Sequence, residues 1–350
     1  MERQRKNIMQ RRQILRWACG LAGSVTSISS LAQVAQSELV WRERALLGFG
    51  TTLWIKAAHA NTERVELALD AAVRAIRDVE RQMSLFDPES ALQRLNARGF
   101  LSKPEPALLE VMTLSREIAR RSGGSFDVSM QALWLAWEKA AQQGELPSER
   151  VLRQARQRVN WRALEISTDR LRLIVRGMQL SLNGIAQGYA ADRARAALMA
   201  HGIAHAMIDA GETSLLGEAP DRQAWAFGIE DAVNKRPPAK AHRDDRQIPI
   251  VQSDGRAMAT SSDAHTSFSA DHRHHHILDP RTGYSPTYWA SVTVIATRCV
   301  VADALTKVFF MLPPSRVLAM ARAWDVDVVL QDKAGQWRAS PGAKARLPMA

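Results

Sequence analysis

Glu165-Ile-Ser-Thr-Asp-Arg-Leu-Arg-Leu-Ile-Val-Arg-Gly177 decides the fold class. Two short runs, the second with Leu171, Leu173 and Val175 at alternate positions, flank a polar turn, the pattern of an antiparallel hairpin. Outward from it, helices and strands follow one another irregularly. Upstream, Phe49 to Ile55 reads as a first strand. Thr62 to Met83 reads as a helix capped by Thr62, because Val65, Leu69, Val73, Ile76, Val79 and Met83 recur at three- and four-residue steps. A short helix ends near Gly99, and Leu108 to Ala119 forms another, stopped by Gly123-Gly124. Downstream, Ile185 to Ala200 is helical and closed by Gly202. Val301 to Met311 and Pro314 to Ala323 are also helical, with strands at Ala206–Ile208, Trp225–Ile229, Ser291–Ala296 and Asp327–Leu330. Asp231 to Gln247 is polar, contains Pro237-Pro238 and reads as a solvated loop. Hairpins among helices argue an α+β fold, with mixed or antiparallel sheets packed against helices, rather than a doubly wound parallel sheet.

Composition narrows the function classes. The 350 residues are 46% hydrophobic and 24% charged, which excludes a disordered chain. Two cysteines, Cys19 and Cys299, exclude a disulfide framework and a four-cysteine zinc site. No run reaches the roughly 18 uninterrupted apolar residues of a membrane-spanning helix. The net charge of +11 raises the question of nucleic acid. Residues 1–36, however, hold Arg3, Arg5, Lys6, Arg11, Arg12 and Arg16 against Glu2 and carry nearly half of that excess. The remaining basic residues are scattered without aromatic interleaving, so nucleic acid is not an expected partner. Gln-Arg-Arg-Gln-Ile-Leu-Arg16 resembles a twin-arginine export signal, followed by a weakly apolar stretch from Trp17 to Ala35. Ser30-Leu-Ala32 offers small residues at alternate positions for a signal peptidase. The alternative is a basic amphipathic helix on the mature protein. The export reading makes 1–36 a signal, 37–350 the mature domain and the periplasm its compartment, and Cys19 leaves with the signal.

Four stretches could carry chemistry. Leu180-Ser-Leu-Asn-Gly-Ile-Ala-Gln-Gly-Tyr-Ala-Ala-Asp192 runs from a strand through a glycine turn into a helix. Backbone N–H groups at such a helix start can bind phosphate, and close packing of helix on strand is the alternative. Ser122-Gly-Gly-Ser-Phe-Asp127 presents a ring and a carboxylate together, either as the lip of a heterocycle site or as a helix C-cap followed by a buried Phe. His272-Arg-His-His-His-Ile-Leu-Asp-Pro-Arg-Thr-Gly283 invites a metal, but on a strand His274 and His276 share one face and His275 the other. In Ala302-Asp-Ala-Leu-Thr-Lys307, Asp303 is either an N-terminal helix charge or a metal ligand, and Lys307 lies one turn on along the same face.

Taken in order, these stretches resemble the ApbE family of FAD:protein FMN transferases. The resemblance also rests on Phe49-Gly-Thr51, Met83-Ser-Leu-Phe-Asp-Pro-Glu-Ser-Ala-Leu-Gln-Arg-Leu-Asn96, Ala259-Thr-Ser-Ser262 and His275-His-Ile-Leu-Asp-Pro-Arg-Thr-Gly-Tyr-Ser-Pro286, and it spans Phe49 to Leu330. It implies an exported enzyme of T-fold-like α+β architecture that uses FAD and Mg²⁺. Such an enzyme moves FMN onto a Ser or Thr hydroxyl of an electron-transfer protein and releases AMP. By the resemblance, Phe49, Phe86, Ser125, Phe126, Asp127, Ser181, Gln187 and Ile277 match positions around the flavin nucleotide. Gly184, Asp303 and Lys307 occupy the metal-site positions. His276 is the candidate base for the acceptor hydroxyl.

This chain departs from the family pattern at Ser181 for aspartate, Gln187 for lysine or glutamate, Glu212 for glycine, Ser262 for glycine and Lys307 for threonine. A protonated ammonium cannot ligate a divalent cation and repels one. Lys307 therefore sets a second reading beside the transferase: a non-catalytic FAD-binding periplasmic protein with a degenerate metal site, a flavin carrier or an accessory to a redox enzyme.

Overall fold

A computed structural model describes residues 38–233, 248–269 and 271–347. The expected signal at 1–36, with Cys19, and most of the Asp231–Gln247 stretch lie outside the described residues.

The chain opens with a hairpin of β1 (Val40–Gly48) and β2 (Thr51–His59). Its turn is Phe49-Gly50, with φ of 49° and 74°. The strand expected from Phe49 thus starts two residues later, and β1 precedes it. Phe49 is held in an uncommon conformation for a ring-bearing residue by its N–H, which donates to Glu80 Oε1 at 2.8 Å, and by burial of its side chain.

Helix α1 spans Thr62–Met83, as the apolar spacing predicts. Its cap is Asn61 rather than Thr62: Asn61 Oδ1 accepts the Arg64 N–H at 2.9 Å. Then follow α2 (Ala91–Arg98), β3 (Phe100–Ser102) and α3 (Pro106–Arg121). Two helices that the periodicity did not mark come next, α4 (Gln131–Gln142) and α5 (Glu149–Arg156). The hairpin is present as β4 (Leu164–Ile166) and β5 (Arg170–Leu173), and β3 adds to it as a third antiparallel strand. After α6 (Ala186–Ala200) come β6 (His205–Asp209), β7 (Thr213–Leu216), β8 (Ala226–Gly228), β9 (Ile250–Gln252), β10 (Ala257–Ser262) and β11 (Trp289–Ala296). Helices α7 (Cys299–Phe310) and α8 (Pro314–Ala323) precede β12 (Asp327–Asp332), β13 (Trp337–Ala339) and β14 (Ala345–Arg346).

Eight strands form one antiparallel sheet in the order β1-β2-β6-β7-β10-β11-β12-β13. Helices α1, α6 and α7 form a layer against it: α1 rests on β1 and β2, α7 on β10 and β11, and α6 lies against both helices. Strand β11 is buried along its whole length. Alternation then decides which side each residue serves. Val292 and Val294 join the large core that holds Leu69, Ile76, Leu198, Leu305 and Phe309. Ile295 and Val329 instead meet Val251 of the small β14-β9-β8 sheet, and Ile229 just past β8, on the opposite side. The fold is α+β, as expected. Among the described residues, no helix is long and apolar enough to cross a membrane.

Candidate functional site at the junction of two helices

The first turn of α6 and the first two turns of α7 meet backbone to backbone. A Cβ on Gly188 would come within 2.5 Å of the Cys299 carbonyl oxygen and 2.7 Å of Asp303 Cβ. The close-packing alternative for this turn therefore applies, although the partner is a helix and not a strand. Each helix also caps the other. Asp192 of α6 accepts the Cys299 and Val300 N–H groups of α7 at 2.8 and 3.0 Å. Asp303 Oδ2 of α7 accepts the Gly188 N–H of α6 at 3.0 Å. Asp303 is thus not the N-terminal charge of its own helix, which begins at Cys299; its carboxylate serves the start of α6. A helix-start N–H that the sequence offered to a phosphate is already taken by protein.

Lys307 closes the junction. Its Nζ lies 2.5 Å from Asp303 Oδ1 and 3.2 Å from the Asp303 carbonyl oxygen. The stem crosses Gly184 so closely that a Cβ there would stand 3.2 Å from Lys307 Cε. Gly184, Asp303 and Lys307 therefore meet at one point. The Gln187 amide lies against Gly211, where a Cβ would overlap it; Gly211 has φ of 96°. This brings in the β6–β7 loop and its Glu212, which sequence reasoning marked as a departure but did not place in the site. Glu212 is buried, and its Oε2 accepts the Thr260 N–H of β10 at 3.0 Å. Burial pushes the Glu212 carboxyl well above the usual carboxylate range, and the neighbouring Asp303 adds to the rise, while Lys307 opposes it. Thr306 is turned to the opposite use. Its hydroxyl donates to the Asp303 carbonyl at 2.6 Å, so at the 2.7 Å contact with Ser261 it is the Ser261 hydroxyl that donates. This contact ties the Ala259–Ser262 stretch to α7.

The arrangement does not suit the Mg²⁺ that the resemblance implies. Asp303 Oδ1 is bonded to an ammonium and Oδ2 to a backbone N–H. Among the described residues, no group of three or more His, Cys, Asp or Glu side chains could hold a metal ion.

The other candidate residues form separate neighbourhoods. Phe86, largely exposed, lays its ring against Gly50, 3.2 Å from where a Cβ would be, and so lies beside the Phe49 turn. In the same motif Ser90 caps α2 by accepting the Gln93 N–H, and Asn96 clamps Leu180 by donating to its carbonyl and accepting its N–H, at 2.9 and 2.7 Å. Ser125, Phe126 and Asp127 are buried, with Phe126 in the main core as the C-cap alternative foresaw. Asp127 Oδ1 accepts the Ser129 N–H and hydroxyl at 2.8 and 2.6 Å, and Oδ2 accepts the Trp161 N–H at 3.1 Å. Ser181 follows on, its N–H donating to the Val128 carbonyl at 2.8 Å. These residues are joined to each other chiefly through backbone.

The histidines diverge, but not by strand alternation: residues 271–276 form turns and bends with a single bridge at His275, and it is the His275 and His276 rings that lie near each other, with centroids 6.5 Å apart. His274 stacks on Trp137 with centroids 4.8 Å apart. His275 is wholly buried, 5.7 Å from the Phe310 ring, with its N–H on the Ser285 hydroxyl. His276 is half-buried, and its Nδ1 lies 3.1 Å from the Thr266 carbonyl. Ile277 is in the main core. Asp279 closes the following turn by accepting from the Arg281 N–H and guanidinium.

The family model described as "ApbE family" matches residues 49–330. The chain belongs to the ApbE family. Among curated relatives, the "FAD:protein FMN transferase" of Treponema pallidum (strain Nichols) is 27% identical over 330 residues, covering 87% of this chain and 88% of that protein. A protein of the same name from Vibrio cholerae is 27% identical over 321 residues, covering 87% and 92%. Among solved structures, the ApbE protein of Thermotoga maritima superposes with a TM-score of 0.74 at 23% identity, covering 86% of this chain and 97% of that one. The flavinyl transferase ApbE of Pseudomonas stutzeri, in its apo form, gives 0.72 at 25% identity, covering 86% and 94%. The ApbE family's shared architecture is thus matched over nearly the whole of each comparison chain.

Proposed function

We propose that the chain is an FAD:protein FMN transferase. A Ser or Thr hydroxyl oxygen of an electron-transfer protein attacks the phosphorus on the FMN side of the FAD pyrophosphate. The P–O bond to AMP breaks, AMP leaves and the hydroxyl proton passes to a base. The observation that carries this reading is the family match over 49–330, in a chain whose Gly184, Gln187, Asp303 and Lys307 converge on one helix junction. His276 is the proposed base. The Thr266 carbonyl can only accept, so in the neutral ring Nδ1 carries the proton and Nε2 is the basic nitrogen. His275, sealed in the core, is no rival for this role. Phe49, Phe86, Ser125, Phe126, Asp127, Ser181 and Ile277 are proposed to line or support the FAD site. Transfer of this type is catalysed mainly by positioning and charge stabilisation, which preformed turns supply.

Incubation with FAD and an acceptor protein, followed by assay of covalent flavin and released AMP, tests the reading. Stoichiometric AMP with flavinylated acceptor supports it. The second reading, an FAD-binding protein without transfer, is favoured by the Lys307–Asp303 pair, and FAD binding with no AMP from any acceptor would establish it.

Export to the periplasm through residues 1–36, leaving 37–350 as the mature domain, belongs to the same proposal. Replacing Arg11 and Arg12 by Lys should hold the protein in the cytoplasm, because twin-arginine recognition needs both guanidinium groups. Undiminished periplasmic protein in that variant would remove the export reading.

A further inference from the structure

We propose that the Lys307 ammonium is the resident cation of this site, and that the protein binds the pyrophosphate of FAD through it without a divalent metal. The inference rests on the proposed FAD-binding function and specifies how the anion is met.

Three observations carry it. First, the ammonium is fixed. Asp303 is wholly buried within α7, and Lys307 reaches it across one helical turn with Nζ at 2.5 Å from Oδ1. Two of the three ammonium donors are committed to Asp303, one to the carboxylate and one to the carbonyl, which leaves a third for a further acceptor. Second, the site is shaped for the lysine. Gly184 has no Cβ, and the Lys307 stem occupies the space a side chain there would narrow, with Cε, Cδ and Cγ all within 3.6 Å of that point. Third, both carboxylate oxygens are already engaged. Oδ1 accepts from the ammonium and Oδ2 from the Gly188 N–H, so a divalent ion drawing on a remaining lone pair of Asp303 would stand beside a fixed positive charge that repels it. The Lys307 side chain keeps 22% of its surface exposed, so the ammonium is within reach of a bound anion. A charge-assisted N–H···O contact to phosphate suits such a group.

The full chain decides the question by two titrations. In the first, Mn²⁺ alone is followed by electron paramagnetic resonance, with no flavin present. The wild type should leave Mn²⁺ free at concentrations where Lys307→Thr, with the ammonium gone and a hydroxyl restored, takes up one ion. Binding of one Mn²⁺ by the wild type, abolished by Asp303→Asn, overturns the proposal whatever FAD does. In the second, FAD affinity is measured in chelator and in Mg²⁺. The wild-type Kd should change by less than about twofold, and tenfold tightening by Mg²⁺ overturns the proposal. Lys307→Met, which keeps the stem, should weaken FAD at least tenfold in chelator, and an unchanged Kd likewise overturns it. Absence of FAD binding under every condition would instead sink the functional reading, while the Mn²⁺ titration still decides the nature of the cation.

Discussion

Asp192 and Asp303 each hold the first turn of the other's helix. Asp192 takes the Cys299 and Val300 N–H groups, and Asp303 takes that of Gly188. The pair locks α6 to α7 at the point where Lys307, Gln187 and Glu212 assemble. Burial pushes the Asp192 carboxyl above the usual carboxylate range, and the two N–H donors pull it back. Its value to the protein is therefore the orphan donors it satisfies rather than a favourable charge.

Asp192→Ala should cost about 1–2 kcal/mol of stability, the usual worth of a lost helix cap. Denaturant unfolding measures it. A midpoint equal to that of the wild type would show that water replaces the carboxylate without loss.

Gly188→Ala should also destabilise, by about 1–3 kcal/mol, because the added methyl meets the Cys299 carbonyl and Asp303 Cβ. The sign matters: in an ordinary helix interior the same change gains up to about 1 kcal/mol. Thermal melts of the variant therefore separate close helix contact from simple propensity. A raised Tm would contradict the backbone-to-backbone approach.

Asp127→Ala strands the Trp161 N–H and the Ser129 N–H and hydroxyl. A loss of about 1–3 kcal/mol in stability is expected from unpaired buried donors. FAD affinity should fall as well, and Asp127→Asn, which keeps oxygen acceptance, should recover part of both. If Asp127→Ala lowers affinity while the unfolding midpoint stays put, Asp127 touches the ligand instead of shaping the turn.

Asp254 sets a pH dependence. The Arg256 guanidinium, at 2.9 Å in the salt bridge, holds the Asp254 carboxyl below the usual carboxylate range. Folding then binds fewer protons than the unfolded chain near that range. The contribution is fully present above about pH 4, the unfolded value, and is lost as pH falls through the lowered native value. Asp254→Asn should cost at most about 1 kcal/mol at neutral pH. The gap in Tm between variant and wild type should narrow below pH 4. A gap that stays constant to pH 2 would place the effect in packing.

The sequence revealed elements whose pattern is local. Helix α1 has both its bounds in the spacing of Val65 through Met83, and α8 is announced by Pro314. Strand β1 escaped because Arg42, Glu43 and Arg44 fall in a half-exposed edge hairpin, and β10 because, Met258 apart, Ala257-Met-Ala-Thr-Ser-Ser262 is built of small residues. Helix α4 carries apolar residues around most of its circumference, so no stripe stands out. In the site, the Asp303–Lys307 pair was legible from its four-residue spacing. The partners of Asp303 and Asp192 were not, since nothing local to either carboxylate names an N–H more than 100 residues away. Glu212 could be seen as a departure, but its place depends on Gly211 meeting Gln187, a tertiary contact.

The mutual capping of α6 and α7 also sets an order of assembly. The two carboxylate clasps join positions 107 to 115 residues apart, with β6 to β11 between them. On the ribosome, α6 is made first, and its initial turn waits for Asp303 until all of the intervening sheet strands have been synthesised. Contacts of such separation are formed late and at high loop-closure cost. A nascent chain halted before α7 should therefore lack the Lys307 site entirely, and flavin offered during synthesis should be captured only once α7 has docked.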